Sequence, residues 1–410
     1  METVKVSADN QIEELLTWAL ADKKTINLFG RASKQGIGRP VITDVNLTVQ
    51  DLTGVTLYEP AELVMKARAG SRLVDIQETL EEAGQMMAFS PPDYGPLLGG
   101  EAGKSTLGGI FACNLSGSDR IKAGAARDHL LGVEGFTGRG EPFHTGSRVM
   151  KNVTGYDLCK LIAGSYGTLA VATEFTFKVL PKPEKMRTVL VFGEALEDAI
   201  RTMNAAMSSV HEVSATAYLP VGIAAKTDID MVKGPGQPVT AIKVEGPAPS
   251  AEFRCAALRD MFKDAGEIEE LHGHRSRRFW EQVGNVTPFA QDQSRVIWKV
   301  SVPPSEAKHY IADVTADYPD LEYFCDWAGG LIWLSLPADT PKGGEARMRA
   351  ALRGGHATLI RANEGLRAEI SPFQPLNTIK AKISENIREG FDPHGILNPG
   401  RMYAPMNGKG

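Results

Sequence analysis

Four short segments combine glycine with hydroxyl or amide side chains between residues 105 and 169. They are Ser105-Thr106-Leu107-Gly108-Gly109, Asn114-Leu115-Ser116-Gly117, Lys151-Asn152-Val153-Thr154-Gly155-Tyr156-Asp157 and Gly164-Ser165-Tyr166-Gly167-Thr168-Leu169. Glycine lets the backbone approach a ligand closely, and serine, threonine and asparagine can hydrogen-bond to a pyrophosphate or to the edge of a ring. Turns alone do not explain four such segments, each flanked by apolar stretches. The pattern predicts a ligand-binding region.

Two common nucleotide-binding motifs are incomplete in this sequence. Residues 99–106 (G-G-E-A-G-K-S-T) resemble a P-loop, but the position of its first glycine is occupied by Leu98. Gly36-Ile37-Gly38 and Gly138-Arg139-Gly140 both lack the third glycine of a G-x-G-x-x-G turn. The sequence therefore disfavours an NTPase and a Rossmann-type site, so a cofactor would be held in another way.

These segments need a scaffold of mixed helices and strands. A strand-like stretch at 25–29 enters a glycine-containing turn at 30–36, and a helix is predicted from Ser71 to Gly84. Apolar and polar residues alternate from 169 to 179, which predicts a half-buried strand. Pro181-Lys182-Pro183 ends this strand and indicates a domain boundary.

The stretch from Arg187 to about Asn363 has a second pattern, in which strand, helix, strand, strand and helix occur twice in order. The clearer second copy has predicted strands at 294–301, 321–327, 330–336 and 356–361 and predicted helices at 304–316 and 343–354. The final strand of the first copy, near 187–270, is hard to place. This order predicts ferredoxin-like units.

Charge and cysteine spacing exclude several classes of protein. The net charge is −5 without a basic block, which argues against nucleic-acid binding. The N-terminus has neither a basic nor an apolar signal region, and no run is long enough to span a membrane, so we expect a cytoplasmic protein. Four widely spaced cysteines without a C-x-x-C pair exclude a self-contained iron–sulfur or zinc-ribbon motif.

The glycine-rich region also carries a family resemblance. Residues 89–181, with K-N-V-T-G-Y-D and G-S-Y-G-T-L, and the C-terminal D-P-H-G-I-L-N-P-G (392–400) resemble the vanillyl-alcohol-oxidase-type (PCMH-type) FAD-binding family, in particular the FAD-binding E subunits of bacterial glycolate oxidases. Specific motifs cover roughly residues 1–185 and 370–410, whereas the middle is similar only in length and pattern.

The resemblance implies an α+β protein with a PCMH-type FAD-binding domain formed by both chain ends. The implied ranges are 1–183 for this domain (subdomains of about 1–55 and 56–183), 184–368 for a central ferredoxin-like cap, and 369–410 for the C-terminal return.

The resemblance also assigns FAD-contacting residues. They are Gly30, Arg31, Ala32, Ser33, Lys34, Gln35, Pro91, Thr106, Gly108, Gly109, Ser116, Gly117, Asn152, Thr154, Gly155, Asp157, Gly164, Gly167, Thr168, Val171 and Asn398. The loop 30–35 and residues 106–109 are expected at the pyrophosphate, residues 116–157 near the flavin or ribityl chain, residues 164–171 near the pyrophosphate or adenosine, and Asn398 near the isoalloxazine ring.

The first loop departs from the family pattern. The usual Arg-Gly-Gly-Gly-Ser/Thr is Phe29-Gly30-Arg31-Ala32-Ser33 in this chain, so Arg31 and Ala32 would be strained if those positions need a positive φ. No histidine stands in this loop to tether the flavin, and we therefore expect non-covalent FAD.

The sequence offers no catalytic residue. The metal-ligating motif G-D-G-N-x-H of related 2-hydroxy-acid dehydrogenases does not occur. His272 and His274, beside three arginines, fit a solvated polar patch on a loop better than a metal site.

The resemblance therefore implies an FAD-binding accessory or electron-transferring subunit of a multi-subunit glycolate (2-hydroxy-acid) oxidase. Its partners would be a second, catalytic FAD-binding subunit and an iron–sulfur subunit, through which the complex could associate with a membrane. Two alternatives remain open. One is a stand-alone FAD-dependent 2-hydroxy-acid dehydrogenase, and the other is a non-catalytic scaffold that binds FAD weakly or not at all.

Overall fold

The computed structural model describes residues 2–148 and 155–404, which form two compact units. The first unit comprises Met1–Leu115, Ala125–Lys182 and Ser371–Gly410, and the second comprises Ser116–Gly124 and Pro183–Ile370. Residues 116–124 thus group with the second unit, although the sequence ranges kept them in the first. The predicted domain ranges stay a prediction.

Strands occur in both units. They are β1 (Glu2–Lys5), β2 (Ile26–Phe29), β3 (Val45–Thr48), β4 (Val55–Glu59), β5 (Val64–Arg68), β6 (Gln85–Met86), β7 (Leu130–Thr137), β8 (Pro142–Gly146), β9 (Ala170–Lys178), β10 (Leu180–Pro181), β11 (Lys185–Phe192), β12 (Ala215–Leu219), β13 (Val239–Gly246), β14 (Glu267–His272), β15 (Val296–Ser301), β16 (Glu322–Asp326), β17 (Leu331–Leu336) and β18 (His356–Arg361).

The α-helices lie between and after these strands. They are α1 (Asp9–Ala21), α2 (Leu73–Glu82), α3 (Leu107–Ala112), α4 (Arg120–Ala123), α5 (Ala126–His129), α6 (Leu158–Ile162), α7 (Leu196–Ser208), α8 (Val221–Ala224), α9 (Asp230–Lys233), α10 (Ala248–Met261), α11 (Gly273–Gly284), α12 (Ala307–Asp317), α13 (Glu345–Ala350), α14 (Glu364–Glu369) and α15 (Thr378–Phe391). Among the described residues, no helix combines the length and the apolar character needed to cross a membrane.

The first unit contains two larger sheets. One is parallel with the strand order β1-β3-β2, and the C-terminal segment reaches it through a parallel bridge between Ile26 and Leu397. The other is antiparallel with the order β4-β5-β9-β7-β8. Residues from the two ends of the chain therefore meet at one sheet, as the resemblance implies.

The prediction that strand 169–179 is half-buried is wrong. β9 is the central strand of the antiparallel sheet, and residues on both of its faces are buried. Its polar positions find partners inside the sheet, because the carboxylate of Glu174 lies 2.6 Å from the Lys66 ammonium on β5. The polar residues at alternate positions were compatible with a half-buried strand and with a strand buried on both faces, since a carboxylate that is paired with a cation can be buried.

The second unit is built on one eight-stranded antiparallel sheet with the order β14-β11-β13-β12-β16-β17-β15-β18. Its halves follow the orders 4-1-3-2 and 2-3-1-4, so two ferredoxin-like units join edge to edge where Tyr218 on β12 pairs with Cys325 on β16. One face of the second half packs Trp298 and Val300 against Met203, Tyr310 and Met348 of the helices. The prediction of ferredoxin-like units in the middle of the chain is confirmed.

Candidate functional site

A cleft of about 770 Å³ lies in the first unit. It is lined by Leu28, Phe29, Gly30, Arg31, Ala32, Ser33, Lys34, Gln35, Val49, Ala69, Thr106, Gly108, Gly109, Ala112, Cys113, Ile162, Ser165, Tyr166, Gly167, Ala170, Ala172, Phe175 and Arg401. The lining combines one glycine-containing loop, the start of α3, the turn before β9 and a C-terminal arginine.

The loop after β2 supplies free hydrogen-bond donors. The backbone N–H groups of residues 31–34 donate no hydrogen bond within the described part of the chain. Ala32 adopts a left-handed φ of 58°, whereas the φ of Arg31 is not positive. Of the two residues expected to be strained, only Ala32 therefore has a positive φ. Successive unpaired N–H groups in such a turn form a concave site for an anion.

Three cationic side chains line the same cleft. The buried Nε of Arg31 has no hydrogen-bond partner, and Arg401 donates to the carbonyl oxygen of Lys34 at 3.0 Å and to the Gln35 side chain at 3.1 Å. Lys34 is only 6% exposed. No acidic side chain is among the described residues that line the cleft. A ligand with two or more negative charges fits this excess of positive charge.

A hydrogen-bonded chain holds Lys34 in place. Its ammonium donates to Ser105 Oγ at 2.9 Å and to Ser33 Oγ at 3.1 Å, and Ser105 in turn donates to Asp93 at 2.6 Å. Burial lowers the pKa of Lys34, and the nearby Cys113 and Asp93 oppose that effect. A buried ammonium that is anchored only by hydroxyl groups keeps its charge available for a ligand.

Residues 106–109 contribute space rather than donors. The N–H of Gly109 is bonded to Thr106 Oγ1 and that of Gly108 to the Ala69 carbonyl, so neither is available to a ligand. A Cβ at Gly30 would lie 2.5 Å from Thr106 Oγ1, and one at Gly108 would lie 2.9 Å from the Ala69 oxygen. Gly30 thus allows the loop after β2 to lie against the start of α3, and Gly108 allows α3 to lie against the segment that follows β5.

The C-terminal segment supports the wall of the cleft through Asn398. Its side-chain oxygen accepts from Leu28 N at 2.7 Å, and its nitrogen donates to the carbonyl oxygens of Tyr166 at 2.9 Å and Leu28 at 3.3 Å. Asn398 is 1% exposed, and Gly167 packs against it. Both the oxygen and the nitrogen of the Asn398 side-chain amide are hydrogen-bonded to backbone groups. In the structure described, Asn398 therefore holds β2 and the turn at Tyr166 in position.

The cleft gathers ten of the residues assigned from the sequence. They are Gly30, Arg31, Ala32, Ser33, Lys34, Gln35, Thr106, Gly108, Gly109 and Gly167. The cleft lining does not include Pro91, Ser116, Gly117, Gly155, Asp157, Gly164, Thr168, Val171 or Asn398. Asn152 and Thr154 lie outside the described residues.

Several of these other residues have local structural roles. Asp157 caps α6 by accepting from Lys160 N, Thr168 donates to the Ser165 carbonyl, and Val171 is buried within β9. Gly155 is exposed, with a φ of 81° and open space around it. Ser116 and Gly117 belong to the second unit. Their assignment to FAD stays a prediction.

Thirteen of the residues that line the cleft were not assigned from the sequence, among them Cys113, Tyr166 and Arg401. Cys113 follows α3, and Arg401 follows the C-terminal motif directly. Arg401 could have been predicted as a single cationic residue that directly follows the C-terminal motif, because this motif was expected to return to the FAD-binding domain. Cys113 offered no signal beyond its position within the glycine-rich region.

We expect FAD to protect Cys113 from a thiol reagent. The other three cysteines are buried, whereas Cys113 is partly accessible and lines the cleft. Burial raises the pKa of the Cys113 thiol, so labelling should be slow and should accelerate with pH. At an FAD concentration of about 100 times its Kd, labelling should slow by about 100-fold, because only the free chain reacts. Mass spectrometry locates the label, and Cys113→Ser is the control; undiminished labelling would remove Cys113 from the cofactor site.

The described residues show no metal centre. No group of three or more His, Cys, Asp or Glu side chains is arranged to hold a metal ion among them. His272 ends β14 and His274 lies on α11, so the loop predicted for this pair is wrong. Both are exposed because they lie at the charged surface of that edge strand and helix. Nearby Arg278 forms an ion pair with Asp228.

Comparisons with known proteins agree with this site. Residues 3–146 match the family described as FAD binding domain. Glycolate oxidase subunit GlcE of Escherichia coli (strain K12) is 33% identical over 396 residues, which cover 96% of this chain and 97% of that protein. Glycolate oxidase subunit GlcD of Bacillus subtilis (strain 168) is 25% identical over 389 residues, covering 87% and 79%. The structure of p-cresol methylhydroxylase with substrate bound has a TM-score of 0.72 at 15% identity, covering 100% of this chain and 90% of that one.

The predictions of the fold, of FAD as cofactor and of an FAD-dependent oxidoreductase are confirmed. An anion site of unpaired N–H groups and cations is what the pyrophosphate of FAD requires. The chain therefore belongs to the PCMH-type FAD-binding oxidoreductase family, together with glycolate oxidase subunit GlcE.

Proposed function

We propose that this chain is the FAD-binding subunit of a multi-subunit oxidase of 2-hydroxy acids such as glycolate. The observation that carries the proposal is the cleft of the first unit, which joins free N–H groups to three cations and is found in a chain similar to GlcE over nearly its whole length. FAD, when bound, supplies an acceptor for the two electrons that leave the alcohol carbon of a 2-hydroxy acid.

The residues of the cleft have separate roles in this proposal. The N–H groups of residues 31–34, with Arg31, Lys34 and Arg401, hold the pyrophosphate. Gly30 and Gly109 allow the loop with Lys34 to lie close to the start of α3. No histidine is among the described residues that line the cleft, in keeping with non-covalent FAD.

The proposed role within the complex is accessory or electron-transferring. The relatives GlcE and GlcD carry names that describe them as subunits of glycolate oxidase. We place a second FAD-binding subunit and an iron–sulfur subunit beside this chain, and the latter would take electrons toward membrane quinones. The four cysteines of this chain contain no C-x-x-C pair, so an iron–sulfur cluster would come from a partner.

Spectroscopy and turnover on the purified chain test this role. We expect about one FAD per chain, visible flavin absorbance and complete release of FAD on acid denaturation, because a non-covalent ligand leaves when the fold is lost. We also expect glycolate to reduce this flavin far more slowly in the isolated chain than in the complex with its partners.

Each other result favours a different function. Turnover by the isolated chain equal to that of the complex would indicate a stand-alone dehydrogenase. Chain that carries no flavin and does not take it up from solution would indicate a scaffold. Flavin that remains attached after denaturation would contradict non-covalent binding.

A further inference from the structure

The P-loop-like segment at residues 99–106 lies beside the cofactor cleft but does not place its lysine there. Lys104 is exposed, and its ammonium lies 3.3 Å from the Glu101 carboxylate. The next two residues are buried, and Thr106 is part of the cleft lining. Ser105, which is 1% exposed, is the residue through which this segment contacts the lysine of the loop after β2.

Ser105 joins Lys34 to Asp93. An ammonium can only donate hydrogen bonds, so Ser105 Oγ accepts from Lys34 Nζ at 2.9 Å. The one proton of the Ser105 hydroxyl is then donated to Asp93 Oδ1 at 2.6 Å. A cation and a carboxylate are therefore connected through a single hydroxyl group, and the donor and the acceptor of both bonds are fixed.

Backbone donors hold the Asp93 carboxylate in place. Its Oδ1 accepts from Gly95 N at 3.1 Å in addition to the serine, and its Oδ2 accepts from Gly103 N at 2.6 Å. Leu98 of the same segment packs next to the loop that carries the lysine, since a Cβ at Gly36 would lie 3.6 Å from Leu98 Cδ2. Residues 93–105 thus support the loop after β2 at two points.

The Lys34 ammonium keeps one donor for a ligand. Of its three N–H groups, one is donated to Ser33 Oγ at 3.1 Å and one to Ser105 Oγ at 2.9 Å. The third has no acceptor within the described part of the chain. Because Lys34 lines the cleft, this N–H group is available to an anion bound there.

The carboxylate of Asp93 provides the negative charge that acts on this buried ammonium. Burial lowers the pKa of the ammonium, and Cys113 and Asp93 oppose that shift. Burial also raises the pKa of the Cys113 thiol, so the thiol is neutral near neutral pH. The other titratable groups of the described cleft lining are the cations Arg31 and Arg401, and Tyr166, whose pKa burial raises. None of these three is negatively charged near neutral pH.

We propose that Asp93 is a positioning residue of the cofactor site, which acts through Ser105 to hold the Lys34 ammonium in the cleft and supplies its counter-charge. Because the carboxylate lies behind a hydroxyl group and outside the cleft lining, it compensates the lysine without presenting a negative charge to the pyrophosphate of FAD. The inference rests on the proposed function and deepens it, since it names the group that controls the charge of the FAD site.

The Kd for FAD, measured over a range of pH in the wild-type chain and in Asp93→Asn, tests this role. Loss of the lysine proton should weaken binding by up to about 10-fold for each pH unit. In Asp93→Asn this fall should begin at a lower pH, because the ammonium has lost its counter-charge. Below that pH the variant should bind FAD at least as tightly as the wild type, since one negative charge near the pyrophosphate is gone. The two curves should therefore cross.

Three further variants show whether Asp93 acts through the serine and the lysine. Glu101→Gln, which neutralises an exposed carboxylate of the same segment, should keep the wild-type pH profile. Ser105→Ala should shift the fall in the same direction as Asp93→Asn but less far, because the charge of Asp93 remains. Lys34→Met should show no fall, and adding Asp93→Asn to it should introduce none, because the two residues act as one unit.

Chemical labelling of the full chain without FAD gives a second readout. Acetic anhydride modifies only the neutral amine, and mass spectrometry follows the label on Lys34, which should appear at a lower pH in Asp93→Asn than in the wild type. This measurement needs no bound FAD, so it tests the coupling of Asp93 to Lys34 even if the proposed function fails. Identical labelling profiles would overturn the inference. Weakening of FAD binding by the same factor at every pH would also overturn it, because that result indicates a purely structural carboxylate.

Discussion

Replacing Lys243 with methionine is expected to lower the free energy of unfolding of the second unit by about 3–5 kcal/mol. The Lys243 side chain is 3% exposed, and its ammonium is the common partner of Asp119 and Glu245. Burial alone would lower the pKa of Lys243, but the two carboxylates outweigh it and raise the pKa. Methionine fills similar space but takes the Lys243 ammonium away from two buried carboxylates. Urea unfolding followed by tryptophan fluorescence measures the change.

Two further variants show whether lost charge pairing is the cause. Lys233→Met removes an exposed pair with Asp230 in the same unit and should cost less than about 1 kcal/mol. Adding Asp119→Asn to Lys243→Met should recover part of the lost stability, because one of the two carboxylates that lost the Lys243 ammonium is then neutral. A loss below about 1 kcal/mol in Lys243→Met would mean that solvent reaches these carboxylates and screens them.

Lys34→Met should weaken FAD binding by about 10- to 150-fold, equivalent to the roughly 1.5–3 kcal/mol of a hydrogen bond to a charged group. Lys34 is only 6% exposed, as is Arg401, and the hydroxyl groups that anchor Lys34 cannot replace its charge. The fluorescence of free FAD during reconstitution of the apo chain measures the Kd. Lys24→Met, at an exposed pair with Asp44, should leave the Kd unchanged.

The same lysine predicts how FAD binding depends on pH. Since burial lowers the pKa of Lys34, the ammonium loses its proton at a lower pH than an exposed lysine. FAD affinity should therefore decrease as pH rises through that lowered pKa, and Lys34→Met should not show this decrease. Equal affinities of the two proteins across the pH range would exclude a direct role for Lys34 in holding the pyrophosphate.

The alternation of apolar and polar residues and the spacing of the predicted elements were enough to predict much of the second unit. The predicted strand at 356–361 is β18 (His356–Arg361), and the predicted helix at 304–316 corresponds to α12 (Ala307–Asp317). The strand that could not be placed is β14, which carries Glu267, Glu269 and Glu270 at the edge of the sheet. An edge strand needs little apolar surface, so its sequence resembles an exposed loop.

The candidate site could be predicted only where one short segment of the sequence forms it. The loop from Gly30 to Gln35 could be found from its composition and its family resemblance, because one short segment supplies the donors. Arg401 could not be found in that way, since it reaches Lys34 only after the chain returns to the first sheet.

The return of residues 396–401 to β2 has a consequence for protein synthesis. Leu397 and Asn398 are joined to the parallel sheet, and Arg401 to the loop 30–35, so the wall of the cofactor cleft stays open until these residues have left the ribosome. Residues 183–370 are translated before them and contain all eight strands of the second sheet, which can form earlier. Loading of FAD is then expected to be among the last steps of maturation.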